Sequence, residues 1–253
     1  MHRVRATTTD LEQALARWLD RLTLRSVLSA EEQQALLSLP GELVAIAPNR
    51  DFVRLGERVD RSCLIVSGLA GRFGQTRNGE RLITALHLPG DMADLHSVML
   101  PDAANALNAL TETVIYRVPH DDFHALGRRF PMLAEAFWRD CMVDAAILSE
   151  WALRNGRLPA KARIAHLICE LSCRAAVSGS RDGAFDWRLS QIQLADVTGL
   201  TSVHANRMLR ALREEGAAQI KDRRVEILDW KRLRAIGEFN DQYLQLYTAP
   251  EQS

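Results

Sequence analysis

Three arginines, an asparagine, a histidine and a run of hydroxyl side chains are concentrated in "TGLTSVHANRMLRALREEG", residues 198–216. Guanidinium and amide groups at helical spacing present hydrogen-bond donors in a fixed geometry, which suits a surface rich in acceptors and negative charge. The same stretch carries apolar residues three and four places apart, so one side of a helix would be buried. The other side, bearing Ser202, Val203, His204, Asn206, Arg207 and Arg210, would face outward.

Such a helix needs a scaffold, and the residues before it supply one. Numbered from Gln191, the fifth position is Ala195, small enough for two helices to approach. The ninth is Gly199, where a sharp turn requires positive φ. Leu194, Leu200, Ala205 and Met208 fill the fourth, tenth, fifteenth and eighteenth positions with apolar groups, while Thr198 replaces the usual aliphatic at the eighth. Ser190 with Gln193 forms a capping box for the first helix, and Thr201 can cap the second. This is the spacing of a helix-turn-helix. After Gly216, "AAQIKDRRVEILDW" reads as two short strands around Asp222–Arg223, a wing. Winged units lay the second helix in the major groove of double-stranded DNA and rest the wing on phosphates. Arg207 is suited to a bidentate pair with guanine O6 and N7, and Asn206 or His204 to a neighbouring base edge. Ser190, Gln191, Thr201 and Arg223 suit phosphate oxygens, which fix register without reading sequence.

The rest of the chain must position and control that unit. Its 253 residues are enough for two modest domains, and net charge is zero. Residues 1–130 carry 15 basic and 16 acidic residues; residues 200–234 carry nine basic and five acidic ones. That is a local positive patch, as specific docking on a polyanion requires, not a polybasic tail. Residues 10–40 read as helices, with Ser29 and Glu32 as a capping box. "SCLIVSG", "AGRFGQT", "RLITALHL" and "TVIYRV" are strand-like, and Asn78–Gly79 suits a tight hairpin turn. Short, closely spaced strands of this kind predict a small antiparallel roll.

From Pro131 the period becomes helical, and no glycine follows until Gly156. Ala134, Phe137, Cys141, Ala145, Leu148 and Ala152 make one apolar stripe; Met132, Ala136, Val143, Ile147 and Trp151 make another. A helix so apolar buries most of its circumference, here against the core and against a second copy of itself. Four divisions follow: a sensor roll with N-terminal helices (1–130), a dimerisation helix (131–155), a winged helix-turn-helix (156–235) and a helical tail (236–253). The fold class is α+β. Cys63, Cys141, Cys169 and Cys173 show no C-x-x-C spacing, and no apolar run is of signal-peptide or membrane-spanning type, which points to a reducing cytoplasm.

With these motifs in this order, "LIVSGLAGRF", "LHLPGDM", the long helix and "LADVTGLTSVHANRMLRALREEG", the chain resembles the Crp–Fnr superfamily of bacterial transcription regulators. The "SVHANR" reading helix is similar to that of a subgroup within it. The resemblance implies a cyclic-nucleotide-binding-like roll, a homodimer on a near-palindromic operator, and action on RNA polymerase. It also exposes departures. Where cyclic-AMP-binding members carry a glutamate and then an Arg-Ser pair, this chain has Leu95 and then Ala103 and Ala104. No Arg or Lys lies between Arg81 and Arg117, so a buried phosphate would lack its counter-charge. The N-terminal cysteines of the iron–sulfur members are missing. His96 falls where a carbon-monoxide-sensing member has a haem-ligating histidine, with Asp94 in place of its thiolate ligand. An effector pocket is therefore expected around His87, Asp94, Leu95 and His96, for an unassigned small molecule or haem, and no cofactor is specified. The alternatives are a metal- or haem-binding roll, or a cupin-like metalloenzyme using His87 and His96, although the tight H-x-H pair of a cupin is lacking.

Overall fold

The computed structural model describes residues 7–177 and 185–246. Contacts group them into two compact units, one built from residues 7–74, 85–145 and 245–246, the other from 75–84 and 146–244.

The first unit opens with α1 (Thr8–Thr23) and α2 (Ala30–Leu37), started by the reciprocal capping boxes Thr7/Asp10 and Ser29/Glu32. Seven strands follow: β1 (Glu42–Ile46), β2 (Arg50–Val53), β3 (Arg61–Ser67), β4 (Ala70–Gln75), β5 (Arg81–His87), β6 (Ala106–Ala109) and β7 (Thr113–Pro119). They form two sheets, ordered β1-β7-β3 and β2-β6-β4-β5, with antiparallel pairing along β1-β7-β3 and β2-β6-β4. Strand β3 explains why "SCLIVS" has no polar alternation. Cys63 and Ile65 enter the core inside the roll, while Leu64 and Val66 enter a second core under the helices. A strand covered on both faces has no polar side to show. Strands β1, β2 and β6 are short and were not foreseen. The Asn78–Gly79 turn is a three-residue loop closed by Thr76 N to Glu80 O, with only Gly79 in the left-handed region, so it is a turn with a glycine bulge rather than the tighter two-residue form.

Helix α3 (His120–Arg129) leads into α4 (Pro131–Arg157), in which Pro131 takes the first position that its ring favours. The break expected at Gly156 and Pro159 falls at the second of them: Gly156 is still helical, α4 ends at Arg157 and Pro159 precedes α5. The core-facing side carries Leu133, Ala136, Val143 and Trp151. Phe137 belongs to that side, stacked on Trp18 with centroids 5.5 Å apart, and the row left outside contains Trp138 instead. Trp18 is fully buried, and its indole N–H donates to Asp140 at 3.2 Å. Burial of such a ring contributes about 2–3 kcal/mol.

The second unit contains the end of α4, α5 (Ala160–Val177), β8 (Phe185–Asp186), α6 (Gln191–Thr198), α7 (Ser202–Glu214), β9 (Ala218–Lys221), β10 (Arg224–Ile227) and α8 (Trp230–Ile236). Its interior holds a charged group, Glu170, which is fully buried. Trp151 Nε1 and Tyr243 Oη donate to its Oε2 at 2.8 Å each, Arg174 donates to its Oε1 at 3.2 Å, and Arg154 lies 3.6 Å away. Burial pushes this carboxyl up, but Arg154, Arg174 and the two donated hydrogen bonds bring it below its ordinary value. The network joins the last turns of α4, α5 and the chain beyond α8. After the described end of α5, Phe185–Asp186 forms a short strand paired with β10.

Candidate nucleic-acid interface

Each helix of the α6–turn–α7 unit is started by its own side chains. Ser190 Oγ accepts from Gln193 N, and Gln193 Oε1 accepts from Ser190 N at 2.8 Å. Gly199 ends α6 with φ 62° and ψ 37°, the left-handed conformation in which glycine alone carries no Cβ penalty. The carbonyls left open by that ending are met from outside the helix. Asn155 donates to Val197 O at 3.2 Å, and Arg163 donates to Thr198 O at 3.1 Å. The departure at Thr198 is resolved locally, because its buried hydroxyl donates to Leu194 O at 2.7 Å. Thr201 Oγ1 accepts from His204 N and so caps α7.

Behind this frame, Leu194, Ala195, Val197, Ala205 and Leu212 are buried. In front of it, Arg207, Arg210 and Arg213 project from α7 and make no ion pair with any described residue. Val203, also in front, is 81 % exposed. Asn206 behaves differently. Its amide donates to Gln191 Oε1 at 2.8 Å, which ties α7 to the start of α6 and leaves its base-edge capacity partly occupied. Together with Arg210 and Arg213, these two residues line an open depression of about 460 Å³.

The wing is present as β9 and β10, with register Lys221↔Arg224 and Val225↔Ile220. Asp222 and Arg223 form its tip, both at positive φ, 50° and 62°. Two non-glycine residues in that region cost of order 1 kcal/mol each, and Trp187 N secures the tip by donating to Arg223 O at 2.7 Å. Lys221, Arg223 and Arg224 stand exposed around it. Arg213, Lys221 and Arg224 were not singled out from sequence. The signal for Arg213 was its i+3 spacing from Arg210; that for the other two was their place beside the turn.

The four residues expected to form an effector pocket do not converge. Asp94 is a peg beneath β3: its Oδ1 accepts from Cys63 N at 2.7 Å, and its buried Oδ2 has no hydrogen-bond partner among the described residues. Burial raises its carboxyl to about 6. His87 is buried within β5. Leu95 and His96 lie in a short 3-10 turn, where they help line an apolar cavity of about 580 Å³ with Phe123, His124, Phe137 and Trp138. Burial, and secondarily Arg72, lowers the His96 pKa. Among the described residues no three His, Cys, Asp or Glu side chains are grouped to hold a metal ion. Arg72, the cation inside the roll, is committed: it donates to Ala93 O at 2.7 Å and to Asp144 of α4 at 2.8 Å.

A capped helix-turn-helix with a basic wing behind a β-roll defines a two-module DNA-binding regulator. Comparison with known proteins agrees: a cyclic nucleotide-binding domain matches residues 43–130, and a Crp-like helix-turn-helix domain matches residues 162–236. The chain is 22 % identical to an anaerobic regulatory protein of Aggregatibacter actinomycetemcomitans, covering 90 % of this chain and 89 % of that one. It is 21 % identical to the fumarate and nitrate reduction regulatory protein of Shigella dysenteriae, covering 83 % and 84 %. Among solved structures, FixK2 from Bradyrhizobium japonicum superposes with a TM-score of 0.69 at 20 % identity, over 78 % of this chain and 98 % of that one. The chain belongs to the Crp–Fnr family and is a DNA-binding transcription regulator.

Proposed function

We propose that two copies of the chain pair through α4 and place their α7 helices in successive major grooves of a near-palindromic operator. The observation that carries the DNA contact is the outer face of α7, where Arg207 and Arg210 stand exposed and unpaired on a helix whose back is fixed. The observation that carries the pairing is the outer row of α4: Ala134, Trp138, Cys141, Ala145, Leu148 and Ala152, at alternating spacings of four and three. Trp138 is 71 % exposed and the neighbouring Met142 65 %. Such a row is a coiled-coil seam, and its alanines allow close approach. In this reading Arg207 pairs with guanine, and Ser202, Val203 and His204 line the same groove. Ser190, Gln191, Thr201, Arg210 and Arg223 meet phosphates, and Asn206 braces Gln191.

The sensor roll reads a signal other than cyclic AMP. The positions of the phosphate-binding pair are Ala103 and Ala104, and Ala103 is engaged through its backbone with Gly56 and Glu57. Arg72 is already paired. The cavity beside His96 is the place for a small apolar effector, and no haem is required. Action on RNA polymerase and a cytoplasmic location accompany this role; no described helix is long and apolar enough to cross a membrane.

The test is selection of a duplex from a random pool with the purified chain, followed by sedimentation and titration. The expected results are a two-fold-symmetric site, a dimer, and affinity that falls as a steep power of salt concentration, with each phosphate contact steepening the slope by about 0.9. A monomer, or affinity insensitive to salt, would refute the proposal.

A further inference from the structure

We infer that Val203 reads the C5-methyl group of a thymine in each half-site; this rests on the reading that α7 enters the major groove. Apart from Val27, Val203 is the most exposed large apolar side chain of the described residues, at 81 %. Nothing in the free chain accounts for it. Its neighbours on the outer face, Ser202, Arg207 and Arg210, are polar, so it is not part of an apolar docking patch. It sits in the first turn of α7, the part of a reading helix that reaches deepest toward base edges. As a β-branched residue in a helix it has essentially one side-chain rotamer, so its methyl groups are held in place before any contact is made.

The chemistry of the partner follows. Valine neither donates nor accepts a hydrogen bond. Placed against guanine, cytosine or adenine it would leave that edge's polar groups unpaired and cut off from water. Thymine is the base that offers an apolar group in the major groove. Val203 lies four residues before Arg207, about 6 Å along the helix axis, so its thymine falls within one or two base pairs of the guanine assigned to Arg207, given about 3.4 Å per base step. Asn206 does not compete for that position, because its amide is held by Gln191. Valine thus also works by exclusion, penalising the three bases whose edges it cannot satisfy.

The experiment uses the full chain and the duplex it selects from a random pool. Each thymine of the selected half-site is replaced in turn by deoxyuridine, which pairs identically and lacks the methyl group. For one thymine per half-site, the wild type is expected to bind about fourfold more weakly for each half-site changed, the worth of one buried methyl-sized group. Val203→Ala should bind the thymine duplex more weakly and be indifferent to deoxyuridine at that position, while Val203→Thr, which keeps one methyl, should retain partial sensitivity. The inference is overturned if the wild type is indifferent to deoxyuridine everywhere, or if Val203→Ala remains as sensitive as the wild type. Failure to enrich any duplex would instead overturn the underlying DNA reading.

Discussion

Two arginines show how the halves of this protein differ. Arg72 lies inside the roll, about 5 % exposed, with both ends of its guanidinium committed to Asp144 and the Ala93 carbonyl. Arg207 lies on α7, exposed and without an ion pair to any described residue. A buried cation must be matched within the fold, because desolvation would otherwise cost several kcal/mol. An exposed one carries no such demand and remains available to a partner. The same contrast holds for the neighbours: Asp94 is a peg inside the roll, whereas Val203 is an apolar group left in water. The roll spends its polar groups on itself, and the winged unit leaves them outward. Function is therefore easier to read in the second half than in the first.

The largest expected effect tests the outward side of that contrast. Arg207→Ala should leave thermal stability within about 1 °C, since the side chain holds nothing in the fold. Loss of a bidentate guanine contact is worth about 1–3 kcal/mol per half-site, so a dimer on its operator should bind about 30-fold to 2 × 10⁴-fold more weakly, and discrimination at that base pair should relax. Titration of the variant on the selected duplex and on single-base variants measures both. Unchanged selectivity would mean that α7 does not read through Arg207.

The next effect tests the inward side and depends on pH. Burial raises the Asp94 carboxyl from 3.8 to about 6. A group with a raised folded pKa contributes its full stability below the unfolded value and loses that contribution as pH climbs through the folded one. Wild type should therefore lose about 2 kcal/mol between pH 4 and pH 6.5 relative to a chain without the charge. Asp94→Asn is that chain, and its amide oxygen can still accept from Cys63 N. Urea unfolding should show its advantage over wild type smallest near pH 4, growing through pH 6 and then levelling. A difference independent of pH would show that Asp94 is not the buried titrating peg described here.

How much of this was legible in the residues varies along the chain for physical reasons. The capping boxes at Ser29 and Ser190, the left-handed Gly199 and the wing turn at Asp222–Arg223 are local: each is specified by residues within four positions of one another. Strands β1, β2 and β6 escaped notice because four or five residues carry too little pattern, and their pairing with β7 and β4 depends on partners up to 75 places away. The directions taken by Asp94 and His96 were not legible for a related reason. Neighbours in sequence need not share a direction: Asp94 turns under β3 while His96 turns toward α3 and α4. On α4, Phe137 and Trp138 are adjacent aromatic residues, and only the position of Trp18 decides which is stacked inside.

The smallest expected effect separates two glycines that composition alone treats alike. Gly156 lies just before the break at Pro159 and is itself helical, and a Cβ built on it meets nothing within 4 Å. Glycine there only adds entropy to the unfolded chain, so Gly156→Ala should stabilise by up to about 1 kcal/mol. Gly199 also has room, its nearest atoms being Arg163 Nη1 at 3.6 Å and Leu82 Cδ1 at 3.9 Å, but its φ of 62° is the conformation an alanine resists. Gly199→Ala should cost about 1–2 kcal/mol. Because that cost is paid by tilting α7 against α6, it should also weaken operator binding, which Gly156→Ala should leave unchanged. Denaturant midpoints of the two variants measured side by side should move in opposite directions, and a shared direction would mean that the turn does not depend on a left-handed residue.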